Sequence, residues 1–205
     1  MSESLENITL RTRLSQVVNP IWIKDEHTNL SNDYAAVVIV LRVKEETGVD
    51  CLFVRRRSSE QDPWSGQVAF PGGRWSPVDS SLLATASREL YEETGLEVGR
   101  DVEMLGYLGD VSPRNAPNLK VRPYVALLKN NAAVVKKGEE VHSVMWINLN
   151  NLKRRVVKIY AKRIEKEFTT VGYLLEPDTV IWGLTARVLS WIIDALEPIA
   201  VINKR

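Results

Sequence analysis

Apolar positions along this chain fall into runs of two different periods. Residues 34–43 (YAAVVIVLRV) and 51–57 (CLFVRRR) are nearly unbroken apolar or β-branched stretches, which predict strands. The polar KEETGVD between them predicts a hairpin connection. A breaker-rich loop, SSEQDPWSG, leads to a short strand QVAF (67–70) and a sharp turn at PGG (71–73). Further strands are expected over 102–111 and 120–129, joined by SPRNAPN, and within EEVHSVMWINL (139–149). Helical spacing appears over residues 3–17, from Ser81 to about Thr94, and over 179–196. A short helix is expected to begin within NLNNLKRR, and TVGYLLE (170–176) reads as strand-like. A strand-rich middle with helices before, within and after it is a mixed α/β pattern. One domain over residues 1–205 is expected, with a core at about 34–152 and helical flanks at 1–30 and 155–205.

The helix at 81–94 carries two kinds of face. At about 100° per residue, Leu83, Ala86, Ser87, Leu90 and Thr94 share one arc, expected to meet the core. Glu89, Glu92 and Glu93 fall in a neighbouring arc, because positions i, i+3 and i+4 stack on one side. Like charges so placed repel, and they sit near the helix C-terminus, where the macrodipole disfavours anions. Arg88, four residues before Glu92, is the one cation beside them in the helix. Two readings stand at this level: a solvated acidic face, or carboxylates held together for a cation.

Composition narrows the chemistry without choosing it. A chain of 205 residues with 44% hydrophobic and 26% charged residues has the profile of a globular domain able to bury a real core. The net charge of +1 means that attraction to a polyanion has to come from local clusters, at 55–57, 136–137 and 153–155. Cys51 is the single cysteine, so no intramolecular disulfide and no paired-cysteine metal or redox site can form. His27 and His142 stand far apart, which makes a zinc site or a Ser-His-Asp triad a poor expectation. The first residues lack the apolar segment of a secretory signal, and the longest apolar run, AAVVIVL, is far short of a membrane span. A cytoplasmic location without membrane contact is expected.

The stretch from Gly73 to Leu96 as a whole resembles the Nudix box, G-x5-E-x7-R-E-U-x-E-E-x-G-U with U apolar. Gly73, Asp79, Arg88, Glu89, Leu90, Glu92, Glu93, Gly95 and Leu96 occupy its positions. The acidic position holds Asp in place of Glu, and eight residues instead of seven separate it from Arg88. The longer spacer resembles the branch that includes the coenzyme A diphosphatases. The resemblance implies an α/β/α sandwich and metal-dependent hydrolysis of a nucleoside diphosphate linked to a group X, with Mg2+ or Mn2+ as cofactor. Such hard cations prefer oxygen ligands, screen a diphosphate's charge and polarise its P–O bonds. Carried over by position, Glu92 and Glu93 would be the principal ligands, with Glu89 a further ligand or base and Gly73 at the metal. Arg88 would orient these carboxylates, while Asp79 would cap or brace its loop. Gly72 and Gly73 would let backbone approach the diphosphate, since glycine has no Cβ. The general base is open between Glu89 and a later loop acid, Glu139 or Glu140.

Substrate identity is less determined. Arg57, Ser58, Gly66 and FPGG (70–73) match the upstream pattern of coenzyme A diphosphatases, but Asp62 stands where that pattern has an arginine. Arg55 and Arg57 are candidate phosphate contacts, and Trp64, Trp75 and Tyr124 are candidates to stack on a base or to pack internally. Coenzyme A and dinucleotides are the candidate substrates. An RNA 5′ end is the alternative, and a non-catalytic nucleotide sensor is a second. The apolar breadth of the last helix allows for a homodimer.

Overall fold

The computed structural model describes residues 5–20, 30–44, 47–57, 66–130, 133, 135–139, 141–161, 166–175 and 179–200. Helix α1 (Leu5–Leu14) precedes strands β1 (Tyr34–Lys44) and β2 (Gly48–Arg56), which form the expected antiparallel hairpin. Two short strands, β3 (Val68–Ala69) and β4 (Gly72–Arg74), lead into helix α2 (Leu82–Thr94). Strands β5 (Val102–Tyr107), β6 (Lys120–Leu128) and β7 (Val141–Asn148) follow. The chain then forms β8 (Lys153–Ala161), β9 (Lys166–Leu175), β10 (Thr179–Ile181) and helix α3 (Gly183–Ala200).

The main sheet runs β3-β2-β1-β6-β5, with β4 pairing to β1 and β7 to β2. Only β1 and β6 lie parallel; every other pair in it is antiparallel. The central position of β1 explains its composition, because a strand covered on both faces reads as a continuous apolar run without alternation. Its side chains divide by parity. Ala36, Val38 and Val40 pack with Leu52 and with Leu82, Ala86 and Leu90 of α2. Ala35, Ile39 and Leu41 pack with Cys51, Phe53, Leu10 and Leu14 of α1, and Val188, Leu189 and Ile192 of α3. The result is an α/β/α sandwich, with α2 alone on one face and the two outer helices on the other.

The C-terminal flank differs from expectation. Residues 155–205 were expected as a helical flank with a strand-like stretch at 170–176, but β8 pairs antiparallel with β9 over its whole length, and β10 adds to β9 to make a second sheet. The short helix expected in NLNNLKRR reduces to one 3-10 turn, Leu149–Asn151, capped by the Asn148 side chain. Physically, Val156, Val157 and Ile159 are β-branched and favour the extended chain, which a hairpin partner then hydrogen-bonds. The last helix likewise begins at Gly183, since residues 179–181 are strand. In the N-terminal flank, helix ends at Leu14, short of the expected residue 17.

Candidate active site

Helix α2 is placed by caps at both ends. Ser81, in extended conformation, accepts the Ala84 N–H at its side chain, and Gly95 ends the helix in the left-handed region at φ 72°. Between the caps, the buried residues are Leu82, Thr85, Ala86, Glu89, Leu90, Glu93 and Thr94. The expected core arc therefore shifts toward the carboxylates. Glu93 and Glu89 are 3% and 9% exposed, whereas the Glu92 side chain keeps about half of its surface, 50%, open. Burying two carboxylates is costly unless they find partners. The neighbouring β4 turn and Arg88 provide them.

The Gly72 N–H donates to Glu93 Oε2 at 2.9 Å. Gly72 has φ 151° and lies against the backbone of Ala36 and Val37, while a Cβ on Gly73 would overlap the Glu89 carboxylate. Two glycines in β4 thus admit two glutamates of α2 to main-chain distance, the close approach that glycine alone permits. Arg88 Nη1 donates to Glu89 Oε1 at 2.8 Å and to Glu92 Oε2 at 2.9 Å. Its Nε and Nη2 donate to the two oxygens of Asp79, both at 2.9 Å. Asp79 also accepts from the Ser76 N–H and from Thr85 Oγ1. These hydrogen bonds, led by those from Arg88, hold the Asp79 carboxyl below its ordinary pKa against the opposing effect of burial. The same partnership raises the Arg88 guanidinium further above its ordinary value.

Asp79 therefore braces the loop and anchors Arg88, and Arg88 in turn fixes the spread of Glu89 and Glu92. The site carries four carboxylates against one guanidinium. Among the described residues, no three carboxylate, histidine or cysteine side chains close around one point as a finished metal cage. An open set of oxygen donors fits Mg2+-like ions, which take one or two carboxylates plus phosphate oxygens and keep several waters. It does not fit a closed zinc site.

Residues 136–139 approach the same helix end. The Lys136 N–H donates to Thr94 O at 2.8 Å and the Gly138 N–H to Glu93 O at 3.0 Å, pairing carbonyls that a helix C-terminus leaves without intrahelical partners. Exposed Glu139 follows directly. Glu140 and Trp64 lie outside the described residues, as do Ser58 and Asp62. Of the arginines proposed for substrate, Arg55 donates to Thr179 Oγ1 of β10 at 2.9 Å, and exposed Arg57 donates to Val141 O at 3.4 Å. Neither hydrogen bond reaches the α2 carboxylates. The Trp75 indole N–H donates to Asp79 O, and Tyr124 is buried beside Tyr107, so both serve packing. Sequence reasoning missed the bracing role of Thr85, whose only signal was a hydroxyl one helical turn inside the N-cap.

Comparison with known proteins agrees with this geometry. Residues 32–168, more than half of the chain, match the family model for the NUDIX domain. The uncharacterized Nudix hydrolase NudL of Yersinia enterocolitica is 32% identical over 161 residues, covering 78% of this chain and 79% of that protein. Its counterpart in Yersinia pestis (strain Pestoides F) is 32% identical over 162 residues, covering 78% and 77%. In fold, the chain resembles a MutT/nudix family protein from Enterococcus faecalis, with a TM-score of 0.52, 18% identity and coverage of 96% of this chain and 70% of that one. The glycine turn, the buried carboxylates and the matched family model agree: this chain belongs to the Nudix family and is a Nudix hydrolase.

Proposed function

We propose that this enzyme hydrolyses the diphosphate bond of a nucleoside diphosphate linked to a second group X, releasing a nucleoside monophosphate and phosphorylated X. The observation that carries the reading is the β4–α2 cradle, where Gly72 and Gly73 bring backbone against Glu93 and Glu89 while Glu92 stays open. Mg2+ or Mn2+ is the cofactor the oxygen donor set suits, held by Glu92 and Glu93 with Glu89 in support. When bound, such an ion screens the diphosphate and polarises its P–O bonds. Glu92, solvent-facing, is the carboxylate first met by an incoming ion. Glu93 and Glu89 are pre-oriented by Gly72 and Arg88, so little ordering cost remains at binding. Arg88 positions without touching substrate, being occupied by Asp79, Glu89 and Glu92. A carboxylate must take the proton of the attacking water. Glu89 and the loop acids Glu139 and Glu140 are the candidates for that base. Coenzyme A and dinucleotides are the substrates to try first.

The test assays wild type and the double variant Glu92→Gln/Glu93→Gln on coenzyme A, dinucleotides, ADP-ribose and capped or triphosphorylated RNA, with each metal. The variant is expected to lose more than the ~10–100-fold that removing an outer-shell partner costs. Retention of the full rate would remove these residues from the site. Singly replacing Glu139 and Glu140 by Gln separates a loop base from Glu89.

A further inference from the structure

The segment that leads into β7 is seated on the last turn of α2, and Gly138 makes the tightest contact. A Cβ at position 138 would overlap the Glu92 carbonyl oxygen and lie 2.9 Å from the Glu92 carbonyl carbon and 3.1 Å from Glu93 Cα. All three neighbours are backbone atoms, so no side chain could turn aside to make room. The φ of Gly138 lies outside the left-handed region, so glycine serves here for space and not for backbone freedom. Its N–H donates to Glu93 O at 3.0 Å, and two residues earlier the Lys136 N–H donates to Thr94 O. Val135 packs against the apolar layer on the α2 face, while Val141 on the far side is fully buried and pairs with Arg56 of β2. Exposed Glu139 stands between these fixed points, its Cα one peptide, about 3.8 Å, from that of Gly138.

We infer that Gly138 is a positioning residue for the reaction: its N–H and its missing side chain lock the acidic loop to the backbone of Glu92 and Glu93, so that loop base and metal ligands keep one fixed separation. The inference rests on the reading of Glu92 and Glu93 as ligands, and adds that the base is a loop acid and not Glu89. Glu89 is buried against Gly73 and accepts from Arg88, a cation that opposes uptake of a proton there. Glu139 faces solvent, where the attacking water comes from. The loop carboxylate takes that water's proton as its oxygen bonds to phosphorus and the bond to the leaving phosphate breaks.

The surroundings of the contact decide what yields when it is crowded. Helix α2 is capped at both ends and Glu93 is held by the Gly72 N–H, whereas Lys136, Lys137 and Glu139 are exposed. A side chain at 138 therefore displaces the loop and leaves the ligands in place.

The test compares wild type, Gly138→Ala and a variant with one glycine inserted between Gly138 and Glu139, on whichever panel substrate the wild type cleaves with Mn2+. Gly138→Ala is expected to lower kcat by up to about 100-fold, the cost of a ~1 Å misplacement, with KM and Mn2+ affinity by calorimetry near wild type. Its kcat should also lose the acid limb of the pH profile, which a merely destabilised fold would keep. The insertion leaves the seat on α2 intact but lengthens the tether by ~3.5 Å, so kcat is expected to fall with an unchanged thermal midpoint, even where Gly138→Ala folds poorly. Gly109→Ala, where a Cβ meets nothing within 4 Å, is the control and should retain the rate. Wild-type kcat in the insertion variant, or in a folded Gly138→Ala, overturns the inference. If Glu92→Gln/Glu93→Gln is inactive in the same assays, only the coupling falls and Glu89 becomes the base; if that double variant keeps its rate, the metal-site reading itself is lost.

Discussion

Arg88 is the residue on which the geometry of the site turns, and Asp79 holds it. With side-chain exposure of 27% against 4%, their pair lies at the edge of burial, where charge-assisted hydrogen bonds are worth more than at an open surface. Asp79→Asn is expected to cost about 2 kcal/mol at neutral pH, the loss of hydrogen bonds to a charged group. The pH dependence has a definite sign. The folded-state pKa of Asp79 is depressed, so its contribution is complete above the ordinary value near ~3.9 and disappears as pH falls through the lower folded value. Urea unfolding of both proteins from neutral to acid pH should show a constant gap that closes only in strong acid. A gap that closes at mildly acidic pH would mean the pair does not act as described. At this scale the sequence located the residues by their spacing. Their burial was not legible, because helical periodicity assigns a glutamate to solvent until a neighbouring backbone N–H offers it a partner.

Helix α2 reaches the sheet with little freedom at either end. Ser81 closes its first turn and Gly95 its last, while Lys136 and Gly138 occupy carbonyls of the final turn. Gly95→Ala forces a Cβ into the left-handed region and toward Lys136 Cβ at 3.3 Å. The expected cost is ~1 kcal/mol or slightly more, read as a lowered thermal midpoint with native far-ultraviolet dichroism. An unchanged midpoint would show that the loop and not the cap terminates the helix. The span of the helix was legible, expected from Ser81 to about Thr94 and found at Leu82–Thr94, since its apolar period is a local signal. The β8–β9 hairpin was not. A KRR start and charges at 158, 162, 163, 165 and 166 read locally like a solvated helix, and only pairing with β9 resolved the competition.

At the scale of the molecule, the sheet separates two apolar layers, and β1 and β2 take part in both. Cys51 lies in the β2 side of this arrangement with no exposed surface. Burial, with the Asp50 carboxylate beside it, pushes its thiol well above the ordinary value. Reaction with a thiol reagent is expected only on global opening, giving no labelling of the native protein over hours and one thiol in denaturant. Rapid native labelling would mean that the β1–β2 hairpin opens independently of the sandwich. Arg55 belongs at this scale too. Its bond to Thr179 ties the main sheet to the second one, a role that residues 124 positions apart do not advertise.

The sequence by itself determined what is local: strand and helix periods, the glycine turn, and the spacing that sets Arg88 among its carboxylates. Each of these rests on interactions within a few residues, or on one repeated period. Tertiary structure alone decided which carboxylates are buried, that Arg55 joins the two sheets, and that residues 153–161 form a strand paired with β9. Those outcomes depend on partners distant along the chain, whose hydrogen bonds and charges outweigh local preference once folding brings them together.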